Sequence, residues 1–335
     1  MPMAHLSAWT QNSITTTTTT TKGYQMAKYK PTMRRKDMKR FISEVLSGLQ
    51  PGDHVFLGAN TPSAQHIAKV CRKWAKRCGK IRTKNTWGWH FARFAKCIET
   101  GEKLPCSIFG EKGNIKLPFY NWSTLAEFTC PGAGGCLEYC YSFTGWRYPA
   151  ALLRQLQNTI LIRNQRAPIR AAFRAIPQGL TVRLYVDGDI ENVDQLAFWF
   201  GLLFQRSDLT VYGYSKSWEV FLDYRAQGLD FPPNYVLNIS DGSRYDGNQV
   251  LADEMAQLPI TRGGFHAVDV GRLGADWQIK SDTRWKSQDY HNSVRVAARE
   301  ALNTPKVFSC PGKCGDCHKC GERSFTVPIA IGIHG

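Results

Sequence analysis

At 335 residues, 43% of them hydrophobic, the chain is long enough for one large domain and a smaller one, with an ordinary apolar core. No apolar run approaches the roughly 20 residues that span a bilayer, and the Thr-rich start has no apolar signal segment. A non-membrane, cytoplasmic protein with reduced thiols is therefore expected. The formal net charge is +16, yet residues 22–96 alone carry 18 Lys and Arg against three acids (Asp37, Glu44, Asp53), a net of +15. A basic front half on a nearly neutral body points to a polyanion-binding module beside a separate site.

Residues 1–25, with seven consecutive threonines from Thr15 to Thr21, read as a disordered extension, with Met26 a candidate start. Residues 26–100 form the basic module. The run Arg34-Arg35-Lys36 leads into a short helix through Phe41 and Leu46. His54 to Leu57 alternates like a strand. Asn60-Thr61-Pro62-Ser63 supplies helix-start chemistry, and the following helix ends at Cys78-Gly79. Ile67, Val70, Cys71 and Trp74 share one face of it, while basic residues cover the rest. Lys80 to Phe94, turning around Asn85, reads as a β-hairpin bearing Trp87, Trp89 and Phe91. Helix and hairpin together make a winged-helix-like α+β unit. Lys69, Arg72, Lys73, Lys76, Arg77, Lys80, Arg82, Lys84 and Arg93 are its candidate phosphate contacts. DNA is the favoured partner over RNA. Cys71 and Cys78 read as core, Cys97 and Cys106 as incidental.

Residues 101–335 form the second domain. A loop-rich connector reaches Cys130, Cys136 and Cys140, spaced C-x5-C-x3-C across Pro and Gly residues. Three thiols on one loop can grip an iron cube or a metal ion and leave a position open. Tyr139 and Tyr141 flank the last of them. Helices follow over Pro149–Asn164 and 167–175. A strand over 180–186 ends at Asp187-Gly188-Asp189, a helix spans 192–204, and a strand over 209–214 ends at Ser215-Lys216-Ser217. Another strand covers 236–240. Strand–helix alternation argues for a parallel β/α architecture with its chemistry at the strand ends. Asp187, Asp189 and Lys216 are the catalytic candidates there. Asp187, Asp189 and Glu191 could instead bind a hard cation such as Mg²⁺, or the carboxylates could simply cap the next helix. His266 and Asp269 are a candidate pair. Asp282 to Tyr290 reads as a loop, and 294–302 as a short helix.

The C-terminal group Cys310, Cys314, Cys317 and Cys320 is spaced C-x3-C-x2-C-x2-C. That spacing suits a cubane cluster or four-thiolate Zn²⁺. Lys313 and Lys319 beside the sulfurs are expected to favour thiolate.

From Cys130 to Lys216 the chain resembles the phage gene-product-88-like family. The TCPG loop ending in Cys140-Tyr141, the strand ending in DGD and the strand ending in YGYSKS carry the resemblance, which extends over roughly 125–320. That family is similar in outline to radical S-adenosylmethionine (radical-SAM) enzymes. The resemblance implies a partial TIM-like barrel and a [4Fe-4S] cluster on Cys130, Cys136 and Cys140. It also implies S-adenosylmethionine bound through Gly188 and Asp189, with Tyr139 beside it. The usual loop is C-x3-C-x2-C and the usual turn GGE, and this chain departs from both. Four readings follow. The first is a phage or mobile-element iron–sulfur protein that binds nucleic acid. The others are a radical-SAM enzyme modifying nucleic acid or a small molecule, a metal-dependent nuclease with a structural cluster, and a redox-sensing DNA-binding regulator.

Overall fold

The computed structural model describes residues 33–111, 118–270 and 288–333. The Thr-rich stretch lies outside the described residues, as does 282–287 of the expected loop; Gln288 to Tyr290 already belong to a helix.

Three helices open the described chain: α1 (Arg35–Leu46), α2 (Pro62–Cys78) and α3 (Trp87–Thr100). The Thr61 hydroxyl caps α2 by accepting from the Ala64 N–H at 3.1 Å, and Gly79 ends it. The third helix corrects the expected hairpin, so no winged-helix strand pair stands at 80–94. Trp87, Phe91, Phe94, Ala95 and Ile98 recur at helical spacing, and all five are buried. The Thr86 hydroxyl caps this helix. Phe91 meets Phe41 at a centroid distance of 4.5 Å, which ties α3 to α1. The short aromatic alternation around Trp89 is local, whereas the helical stripe runs the length of the segment. His54–Leu57 is not a strand either. The N–H groups of Val55 and Phe56 donate to the Gln165 side chain, which donates back to the Phe56 carbonyl. One amide replaces a ladder.

The body adds β1 (Tyr120–Asn121), a single turn α4 (Ser142–Gly145), α5 (Pro149–Asn164) and α6 (Ala167–Arg174). Then β2 (Thr181–Leu184), α7 (Val193–Phe204), β3 (Thr210–Ser215), α8 (Trp218–Ala226), β4 (Tyr235–Ser240) and α9 (Gln249–Ala256) alternate. The chain finishes with β5 (Thr261–Val268), α10 (Gln288–Leu302), β6 (Phe308–Ser309), α11 (Cys314–Cys317) and β7 (Ile329–Gly332). All seven strands are parallel in the order β1-β2-β3-β4-β5-β7-β6. The sheet is curled and open, a partial barrel with flanking helices, as the strand–helix alternation predicts. Val182, Leu184, Val211 and Leu237 point into the core on one face. Arg183, Tyr212, Tyr214 and Asn238 take the alternate positions on the other.

Helix α5 is buried almost all round, and its polar residues hold the connector before β2. The side chain of Gln157 bonds both the N–H and the carbonyl of Cys106. Asn158 donates to the carbonyls of Ile108 and Ser123, and Thr159 accepts from Leu125. A loop that must run through the interior is satisfied by side chains in place of water. The described residues belong to a single unit by their contacts. Within it α1 docks through Lys39 to Glu127 at 2.6 Å, and through the Arg35 guanidinium stacked 3.3 Å from the Phe143 ring centroid. Cys71 and Cys97 are buried, while Cys78 and Cys106 pack half-buried on the same core.

Candidate functional site

The first cysteine loop sits on the C-terminal ends of β3 and β4. The N–H groups of Gly134 and Cys136 both donate to the Gly242 carbonyl, and the Arg244 N–H donates back to Gly132. The Ser243 hydroxyl donates to the carbonyls of Gly132 and Lys216. Gly132 passes so close to β3 that a Cβ would fall 1.7 Å from the Lys216 carbonyl oxygen. The loop is thus a cover over the strand ends, as a parallel barrel would place it.

The three acids after β2 do not converge. Asp189 is buried, accepts from the Ser215 hydroxyl at 2.9 Å and from the Lys216 N–H at 2.7 Å, and holds its own turn through Ile190. Asp187 accepts from Gln155 at 2.9 Å. Glu191 is held by Arg163 and Gln195. Burial pushes both Asp187 and Asp189 above the usual carboxylate range, although their hydrogen bonds pull the other way. Between them Gly188 has φ +76°, and a side chain there would strike the hydroxyls of Thr124 and Thr129. The turn is built for the backbone, with its carboxylates turned onto neighbouring elements. Lys216 reaches across β4, its Nζ donating to the Ser240 hydroxyl at 2.8 Å. His266 pairs with Asp241 at 2.8 Å, not with Asp269 as the sequence suggested. Asp241 lies far back in the chain, so only strand pairing reveals this partner. Tyr139 lies over Gly242, and burial pushes its hydroxyl up to about 12.

The second cysteine segment starts beside β7, where the Cys310 N–H donates to the Ala330 carbonyl. From there it crosses the concave face. The Cys320 carbonyl accepts from Asn238 of β4 at 2.9 Å. Cys310, Cys314, Cys317 and Cys320 line a cavity of about 390 Å³ together with Phe119, Thr181, Thr210 and Tyr212. Residues following one edge strand therefore lie against those of the opposite side, across the mouth of the open sheet.

The expected metal chemistry is overturned. Among the described residues, no three His, Cys, Asp or Glu side chains are grouped so that they could hold a metal ion. This corrects the [4Fe-4S] cluster on Cys130, Cys136 and Cys140, and the cluster or Zn²⁺ on Cys310, Cys314, Cys317 and Cys320. It also corrects the Mg²⁺ reading of Asp187, Asp189 and Glu191. The iron–sulfur, radical-SAM, metal-nuclease and redox-sensing functions that rested on those sites fall with them, and S-adenosylmethionine at Gly188, Asp189 and Tyr139 loses its anchoring cluster. All the cysteines are free thiols. Burial pushes Cys310 up to about 12 and Cys320 up to about 11, and Cys130 well above the ordinary thiol range. Burial also raises Cys317, although the Lys319 charge pulls it the other way, and Lys319 pairs with Glu322 at 2.6 Å. Spacing brings sulfurs near one another but does not aim them.

A family model described as gene product 88 matches residues 108–323. The chain belongs to the gene product 88 family. The matched residues run from the buried connector through both cysteine segments, and helices α1 to α3 precede them. No curated protein and no solved structure matches the chain. The likeness to radical-SAM enzymes finds no support in these comparisons.

The candidate phosphate contacts ahead of the gene product 88 match are exposed, and four of them share one surface. Lys69, Arg72, Lys73 and Lys76 line a groove on α2 with Gln65, Ala68 and, from α3, Glu99. Several cations are already engaged. Arg72 makes a two-pronged pair with Glu99, Lys73 reaches Glu44 at 3.0 Å, and Arg77 reaches Asp37 at 3.1 Å. Among the described residues, Lys69, Lys76, Lys80, Arg82, Lys84 and Arg93 form no ion pair with a carboxylate. Arg93 lies 5.5 Å from the Trp89 ring centroid. Of the aromatics interleaved with these charges, Trp74, Trp87 and Phe91 are buried and Trp89 is half-buried. No helix among the described residues is long and apolar enough to cross a membrane.

Proposed function

We propose that this gene product 88 family member binds nucleic acid, DNA before RNA, through the exposed face of α2 and the loop leading to α3. The observation that carries the reading is the groove lined by four cations, Lys69, Arg72, Lys73 and Lys76, in which only Arg72 and Lys73 are met by carboxylates, Glu99 and Glu44. Lys80, Arg82 and Lys84 extend this surface beyond the Gly79 stop, and all three are exposed. Such a surface neutralises backbone phosphates and displaces their counterions. Trp74, Trp87 and Phe91 are buried and Trp89 is half-buried beside Arg93, which leaves little of the stacking platform that single-stranded binding uses. Duplex backbone contact fits the remaining chemistry, and such contact positions a duplex without reading its sequence.

The test is fluorescence anisotropy with a short DNA duplex across a salt series. The double variant K69E/K76E should bind at least about tenfold more weakly. The slope of log affinity against log salt should be shallower by about two, near 0.9 for each lost phosphate contact. Equal affinity and slope in a folded variant would refute the assignment.

A further inference from the structure

Arg183 sits on β2 with its side chain on the concave face, opposite Tyr212 in the strand register. Its guanidinium carbon lies 4.5 Å from the centroid of the Tyr214 ring. The Nε is shut off from solvent with no hydrogen-bond partner. The terminal nitrogens have none either, and the residue keeps partial exposure toward the concave side. The nearby groups are tyrosines and thiols: Tyr141, Tyr212, Tyr214, Cys314 and Cys320. Asp187 feels the charge but forms no ion pair with it, being held instead by Gln155, Ser142 and Ser123.

A guanidinium is charged at every physiological pH and carries five N–H donors in a planar fork. A shut-off Nε without an acceptor is costly, and a fork open only toward the concave side calls for a partner. A buried arginine on the neighbouring β5 shows the contrast. Arg262 spends its donors on Asn238 and on the carbonyls of Phe325, Val327 and Gly264. Arg183 alone of the two has its fork unspent. Burial keeps the Tyr212 and Tyr214 hydroxyls protonated, so the walls around the fork carry no competing negative charge from them.

We infer that the concave face receives a small anionic molecule whose carboxylate or phosphate group docks on Arg183. This site lies apart from the nucleic-acid surface on α2 and stands or falls independently of it. The test is isothermal titration of the full chain, in anion-poor buffer, with inorganic phosphate in one arm and acetate in the other. One saturable site is expected in at least one arm, and the arm that responds names the oxyanion. R183M should weaken that binding at least about tenfold, as loss of a charge-assisted fork implies. R183K, which keeps the charge but not the fork, should also weaken it, and decides the matter if R183M fails to fold. Without anion, R183M should melt little below the native chain, because the removed charge had no ion pair or hydrogen bond and only the Tyr214 ring beside it. Duplex binding by either variant should be unchanged. Absence of a saturable site in both arms, or native affinity in folded R183M or R183K, would overturn the inference.

Discussion

The guanidinium of Arg262 donates to the side-chain oxygen of Asn238 at 2.6 Å, and the Asn238 amide donates in turn to the carbonyls of Gly213 and Cys320. This chain of bonds joins β3, β4 and β5 to the second cysteine segment. A second Arg262 nitrogen, Nη1, holds the Phe325 and Val327 carbonyls on the return to β7. Both residues are buried, so removing either charge or amide strands polar atoms away from water. R262M is expected to destabilise the protein by about 3 kcal/mol. Its Cys320 thiol should react faster with a disulfide reagent than in the native chain. A melting curve and a thiol-labelling time course check both statements.

Gly132 governs the seating of the first cysteine loop. A methyl group there cannot coexist with the Lys216 carbonyl 1.7 Å away, and both neighbours are backbone. G132A should therefore lift the loop off β3 and β4, with loss of the bond from Arg244 and the bridge between Ala133 and Ser243. A cost of about 2 kcal/mol is expected from the lost bonds and strain. Labelling of Cys136 should quicken, while that of Cys320 should not. Equal rates at Cys136 in native and variant protein would contradict this account of the loop.

Glu99 restrains the groove on α2. Its pair with Arg72 is exposed on both sides, so it contributes little to stability. It does occupy one of the four groove cations. E99Q should leave the melting temperature nearly unchanged and tighten duplex binding. The salt slope should steepen by about one, as a further phosphate contact becomes available. Weaker binding by E99Q would count against the groove as the interface.

Glu44 links stability to acidity. Burial alone would raise its pKa, but the Trp74 indole and the Lys73 ammonium outweigh this and hold it below the usual carboxylate range. A carboxyl more acidic when folded than when unfolded stabilises the fold above the unfolded value, about 4.3. The contribution fades as pH falls through the lower, folded value. E44Q can still accept from Trp74 but loses the charge. It should cost about 0.5 kcal/mol near neutral pH, the side chain being partly exposed. The difference should vanish once both forms are fully protonated. Melting curves from neutral to strongly acidic pH provide the check.

Much of the architecture is legible in the residues themselves. Thr61 and Pro62 mark the start of α2, Gly79 its end, and Pro149 the start of α5, because caps and proline act on the backbone within a single turn. The alternation of apolar strands with amphipathic helices announces a parallel sheet. The same local reasoning misreads residues 87–94, where a short aromatic alternation masks a helical stripe that shows itself only out to Ile98. It also misreads the cysteines and the acids. Seven thiols in two tight groups promise ligation, yet sequence spacing sets only how far apart the groups can lie. The direction of each sulfur, and the protein packed around it, come from the loop's seat on β4 and from the crossing of the concave face. Asp187, Asp189 and Glu191 are neighbours in sequence, but the turn sends them to Gln155, Ser215 and Arg163. Asn238, Arg262 and Arg183 carry no motif at all. Their meaning appears when the strands take register and the sheet curls. Local backbone sterics choose the elements, while convergence of side chains depends on contacts between residues far apart in the chain.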